Sequence, residues 1–303
     1  MPIQSPDVPI LIRRILNQQG RVLAEASKDL ISNFASPSVG SPAWQDRDWA
    51  DTTDHPELVR GAYTSAAQTV ATLLRTMEEY RCGILALLES DQLLALPIMN
   101  CARAIHDAAL RVCWLSDPGL RPEERLARAA ADFLATVQGG IPVLLALVAN
   151  GDDDGADLKK AQEARAGAIK LFRSIGLTVQ VKEGNGQAQN VRYADAVANV
   201  EVKVTDLSLK YTPITDFSWR LNSGATHSSL WLTNGLDGPW SQLLISMTFP
   251  LLDISDALTT NLWGYSGMST AGIHKETHTR RILLLQRAGV PGPYGDHAHY
   301  QST

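Results

Sequence analysis

Apolar side chains recur at three- and four-residue steps along most of the 303 residues, a period that specifies amphipathic helices. From Val8 to Phe34 the set Leu11, Ile15, Val22, Ala26, Leu30 and Phe34 follows it, with Arg, Lys and Gln between. Residues 36–54, with Pro37, Gly40, Pro42, Trp44 and Trp49, read as a loop whose tryptophans pin it to the bundle. Asp54 can cap the next helix, Pro56 suits its first turn and Glu57 its dipole, and it runs to about Leu88. Ser90-Asp91 breaks the pattern and opens a helix from Gln92 to about Ser116, which Pro97 should bend. After Asp117-Pro118-Gly119, Pro122-Glu123-Glu124 starts a helix to Gly139, and Pro142 restarts it towards Val148. Gly151 to Gly155 is an acidic turn whose adjacent carboxylates suit solvent and capping better than one shared ion. Ala156 to Ile175 is a polar helix. Leu177 to Ala198 differs in kind: Leu-Thr-Val-Gln-Val, Gly184-Asn185-Gly186 and Val191-Arg-Tyr read as a short hairpin or arm. Helical pattern resumes near Asp195, pauses at Tyr211-Thr-Pro, and ends in helices over about 239–263 and 270–288.

The fold expected is a single all-α domain, residues 1–303. It comprises an N-terminal helix and pinned loop (1–54), a helical bundle (55–288) and a loose tail (289–303). Composition narrows the function classes. Hydrophobic residues are 45% and charged residues 19% of the chain, enough apolar content for a sizeable core and too little charge for a disordered tail protein. A net charge of −5 marks no global nucleic-acid binder, so any such role needs a local basic patch. Cys82, Cys101 and Cys113 are odd in number and lie in apolar segments, which suggests buried thiols in a reduced, cytoplasmic protein. Unbroken apolar runs such as Ile141 to Val148 are shorter than a bilayer needs, and the N-terminus lacks a signal-peptide pattern, so no membrane role is expected.

The strongest chemical signal is Ser218-Trp219-Arg220-Leu221-Asn222-Ser223-Gly224-Ala225-Thr226-His227. Arg220 and His227 are seven residues apart, so on one helix they share a face about 10 Å along the axis. A guanidinium can clamp a phosphate and an imidazole can move a proton near neutrality. Together, without metal, they suffice for attack of a ribose 2′-OH on its own phosphate. Asn222, Ser223 and Thr226 would line that site. The same pair also reads as an ion-paired arginine and a helix-terminal histidine.

The stretch Arg220 to His227 resembles the Arg-x(4–6)-His motif of the HEPN superfamily (higher eukaryotes and prokaryotes nucleotide-binding domain). It also resembles the aromatic-Arg…Ser…His signature of a bacterial HEPN-like family of unknown function. A preceding helix in that family bears an arginine and ends in a Leu-x-Asp-Pro turn, as do Asn100-Cys-Ala-Arg103-Ala-Ile-His106-Asp107 and Trp114-Leu-Ser-Asp117-Pro118. The resemblance spans about Leu73 to His227, with residue matches in these two segments. It implies a helical bundle that forms a homodimer, brings two Arg/His motifs into one cleft and cuts RNA without a cofactor. It equally implies the superfamily's non-catalytic members, which would hold a nucleotide, another anionic ligand or a partner protein. Leu221 departs from the polar residue often found after the arginine in nucleolytic members.

Two further clusters stand beside it. On the 92–116 helix His106 falls inside the apolar arc and Arg103 at its border. His106 is either a satisfied core histidine or a wall of the Arg220/His227 pocket, and a buried Arg103 must find a carboxylate or phosphate. His274-Lys-Glu276-Thr-His278 puts two histidines one turn apart. That makes a His-ligated metal enzyme conceivable, or a charged helix start followed by Arg280 and Arg281. Trp231, Trp240, Trp263 and Tyr265 read as core or interface anchors.

Overall fold

A computed structural model describes residues 10, 12–21, 23–24, 28, 36–90, 94–152, 154–213 and 250–288. Within it, residues 12–21 form α1 and Pro42–Ala50 form α2. The long helices follow: α3 (Pro56–Leu87), α4 (Ala95–Leu115), α5 (Pro122–Gly139), α6 (Ile141–Asn150) and α7 (Ala156–Ser174). Strands β1 (Thr178–Val181), β2 (Ala188–Tyr193) and β3 (Ala196–Asn199) precede α8 (Val204–Tyr211). Helix α9 (250–258) runs into a π-turn at Thr259–Trp263, and α10 is Ala271–Ala288.

The chain is mostly helical, and two segments depart from an all-α reading. Residues 178–199 are a complete three-stranded antiparallel sheet in the order β1-β2-β3, with Val179 opposite Val191 and Tyr193 opposite Ala196. The helical pattern expected from Asp195 is therefore β3, and the helix starts at Val204. Its alternation was short, but Ala188, Val191, Ala196 and Ala198 turn inward against α5, and Val179 of β1 is buried beside α7. The loop expected over 36–54 contains α2. Ser41 caps it, its side-chain oxygen accepting from the Trp44 amide at 3.2 Å, and Pro42 fits the first turn.

Helices α3 and α4 form the central hairpin. Val70, Leu74, Met77 and Ile84 of α3 meet Ile98, Met99, Ala102 and Ile105 of α4 in one core. Pro97 lies in the first turn of α4, where its missing amide costs no helical bond, so the expected bend has no cause. Helix α3 starts at Pro56 without a side-chain cap from His55, rather than on Asp54. Arg81, on the buried face of α3, donates to the Leu16 carbonyl at 3.0 Å and so fastens α1.

Pro122–Asn150 is long and apolar enough to cross a membrane by length and composition, with mean hydropathy 1.7 in its most apolar window. The two halves differ. Leu126, Ala127, Ala130 and Leu134 of α5 are fully buried, whereas α6 buries Ile141 alone and exposes Val143, Leu145 and Leu147. Of the cysteines, Cys113 is buried, Cys101 intermediate and Cys82 exposed, so the expectation of three buried thiols holds at Cys113 alone.

Candidate functional site

The sequence places its best site on Arg220, Asn222, Ser223, Thr226 and His227, and all five lie outside the described residues. What the structure positions is the seam between α4 and α8, from which the chain leads towards them. His106 is fully buried on the inner face of α4, and its Nε2 lies 3.1 Å from Oγ1 of Thr212. The Thr212 hydroxyl in turn reaches the Ser208 carbonyl at 3.3 Å. The Ser208 hydroxyl lies at the same distance, so Thr212 joins His106 to both polar groups of Ser208. Arg103 pairs with Asp107 one turn on, Nε to Oδ2 at 3.4 Å. Asp107 is thus the carboxylate that Arg103 was expected to need.

The seam closes on Asp117, at the end of α4. Lys210 Nζ and the Tyr211 hydroxyl donate to its Oδ2 at 2.6 and 2.8 Å. Burial works to raise this carboxyl, but those two donors outweigh it and hold it below the usual carboxylate range. Arg128 completes the cluster, donating to the Trp114 carbonyl at 2.7 Å and lying over the Trp114 ring, 5.4 Å from its centroid. These contacts set where α8 ends and where the chain departs at Pro213.

A second polar centre joins distant parts of the chain and escaped sequence reasoning altogether. Arg125 Nε donates to both oxygens of Asp46 at 2.9 Å, with the two side chains 2% and 3% exposed. Its other nitrogens serve the carbonyls of Leu120 and Pro42, and the Tyr265 hydroxyl donates to Asp46 Oδ2 at 3.0 Å. Burial pushes the Asp46 carboxyl up to about 6, against the pull of Arg125 and Tyr265. A cavity of about 20 Å³ beside it, walled by Tyr63, Ser116 and Leu262, has room for one water. The arrangement ties α2, α5 and the turn after the π-helix together, and every arm of the guanidinium is spent on the protein. No local pattern signals it, because Asp46 lies 79 residues from Arg125 and 219 from Tyr265.

The third sequence cluster is dispersed. Glu276 pairs with Arg280 at 2.7 Å, His278 faces outward, and His274 turns to Asp256 of α9 with Nδ1 3.2 Å from Oδ1. Among the described residues no three His, Cys, Asp or Glu side chains gather as metal ligands. The acidic turn at 151–155 does capping work, with Asp154 accepting from the Ala156 amide at 2.9 Å. Comparison of the chain with family models, curated proteins and solved structures finds no match.

Proposed function

We propose that this is a HEPN-like helical protein acting as a metal-independent endoribonuclease on RNA. Arg220 would hold the scissile phosphate, and His227 would take the 2′-OH proton and return one to the leaving oxygen. Asn222, Ser223 and Thr226 would position the backbone, and two copies would pair across the cleft. The observation that carries the reading is the Arg-x6-His spacing within Trp219 to His227, in a chain that is mostly helical. The α4–α8 seam adds support, because Thr212, seated on His106, precedes Arg220 by eight residues.

The second reading is a non-catalytic module of the same kind, holding a nucleotide, another anion or a partner protein. It would use Arg103 and His106 as pocket wall, and their pairing with Asp107 and Thr212 leaves Arg220 and His227 to carry the ligand. The net charge of −5 favours this reading. Purified protein incubated with mixed RNA in EDTA separates the two. Cleavage in the wild type and its loss in both His227→Ala and Arg220→Ala support the nuclease. Cleavage unchanged in those variants removes it, and no cleavage with retained nucleotide binding selects the module.

A further inference from the structure

Three side chains outside the proposed nuclease site form a connected series at the α9–α10 junction. Asp256 Oδ1 lies 3.2 Å from His274 Nδ1, and His274 Nε2 lies 3.4 Å from Oγ1 of Thr260. The other carboxylate oxygen is held by Arg281 at 2.6 Å, which fixes the acid's charge and orientation. A carboxylate orienting an imidazole that faces a hydroxyl is the arrangement by which an alcohol becomes a nucleophile.

Thr260 is set apart from its neighbours by where its hydroxyl goes. Helical Thr and Ser side chains ordinarily donate to the carbonyl four residues back. Thr259, Ser266, Thr277 and Thr279 all do so, at 2.7–3.0 Å. The Thr260 hydroxyl meets the imidazole instead. Thr260 is exposed and belongs to the π-turn Thr259–Trp263, whose extra residue breaks the α-helical register there, a feature frequent at functional sites. His274 itself sits in the first turn of α10, and the space beside Gly272 of that turn is open to 4 Å.

We propose that Thr260, His274 and Asp256 form a nucleophilic site that accepts an acyl group from an activated ester. The hydroxyl oxygen of Thr260 attacks the ester carbonyl carbon while its proton passes to His274 Nε2. The ester C–O bond then breaks, the leaving oxygen departs as an alcohol with that proton or as a stable anion, and the acyl group remains on Thr260. Asp256 is a positioning residue that keeps Nδ1 protonated and Nε2 free to accept. The site shares no residue with Arg220 and His227, so the two proposals stand or fall separately.

The probe is p-nitrophenyl acetate on the full chain, read by phenolate release and by peptide mass mapping. The expected result is one acetyl group on Thr260, kept in Thr260→Ser and absent in Thr260→Val. His274→Gln should slow labelling about 100-fold or more, as loss of a general base does. Circular dichroism of each variant separates chemistry from unfolding, and Thr260→Ser and Thr260→Val bracket the wild-type volume. Asp256→Asn should slow labelling by about tenfold with the circular dichroism unchanged, and Asp256→Glu should restore part of the rate. Acetyl confined to lysines or Cys82, or equal labelling in Thr260→Val, would overturn the proposal. Labelling at the wild-type rate in Asp256→Asn would remove Asp256 from it.

Discussion

Replacing Arg125 by Met tests how far the buried ion pair holds the three parts of the chain together. The guanidinium donates to both Asp46 oxygens and to the carbonyls of Leu120 and Pro42, and its side chain is 2% exposed. The cavity beside the pair holds at most one water, too few to replace those donors. Removing one partner of such a pair leaves a buried carboxylate with Tyr265 as its remaining side-chain donor, at a cost of about 3–5 kcal/mol. For a chain of this size that is a fall in midpoint temperature of about 5–8 °C. The double variant Asp46→Leu/Arg125→Met removes both charges and should be less destabilised than the sum of the singles by about 2 kcal/mol or more. Urea denaturation followed by far-UV circular dichroism at pH 7 gives all three values. A loss below about 1 kcal/mol in Arg125→Met, or strict additivity in the double variant, would refute the reasoning.

Asp46 and Asp117 should bend the acid side of the stability profile in opposite senses. Asp117 is held low, so its contribution is present above about pH 4 and lost as pH falls through its folded value; Asp117→Asn should remove that loss. Asp46 is pushed up to about 6, so the folded state binds its proton first, and its contribution grows as pH falls from about 7 to 4. Asp46→Asn should flatten that rise, and urea midpoints across this range that show one shared slope would contradict both assignments. At the β2–β3 turn Ala194 has φ +50°, a conformation that costs a non-glycine residue about 1 kcal/mol, so Ala194→Gly should stabilise by up to that amount in thermal melts. Val143→Lys/Leu145→Lys on α6 should leave the melting temperature within about 2 °C and reduce self-association in light scattering, because neither side chain is buried. A large drop in melting temperature there would show that α6 is packed in solution.

The helices were legible in the sequence because each carries its own information: a 3.6-residue apolar stripe, a proline at the first turn, a polar break at the end. Pro122 to Gly139 and the restart at Ile141 follow from those signals alone. Where the local signal was short, tertiary contact decided. The four residues of β3 gain their strand from β2 on one side and α5 beneath, and α2 gains its place from Asp46 and Trp49 packing onto neighbours remote in sequence. The site chemistry divides in the same way. Arg220 and His227 stand out by spacing within ten residues, and so could Asp256 and Thr260, one helical turn apart. That His274 turns to those two rather than to His278, and that Asp46 finds Arg125 and Tyr265, depends on how separate helices cross. A charge buried across such a crossing must be met by whatever the fold brings near, and no spacing along the chain records it.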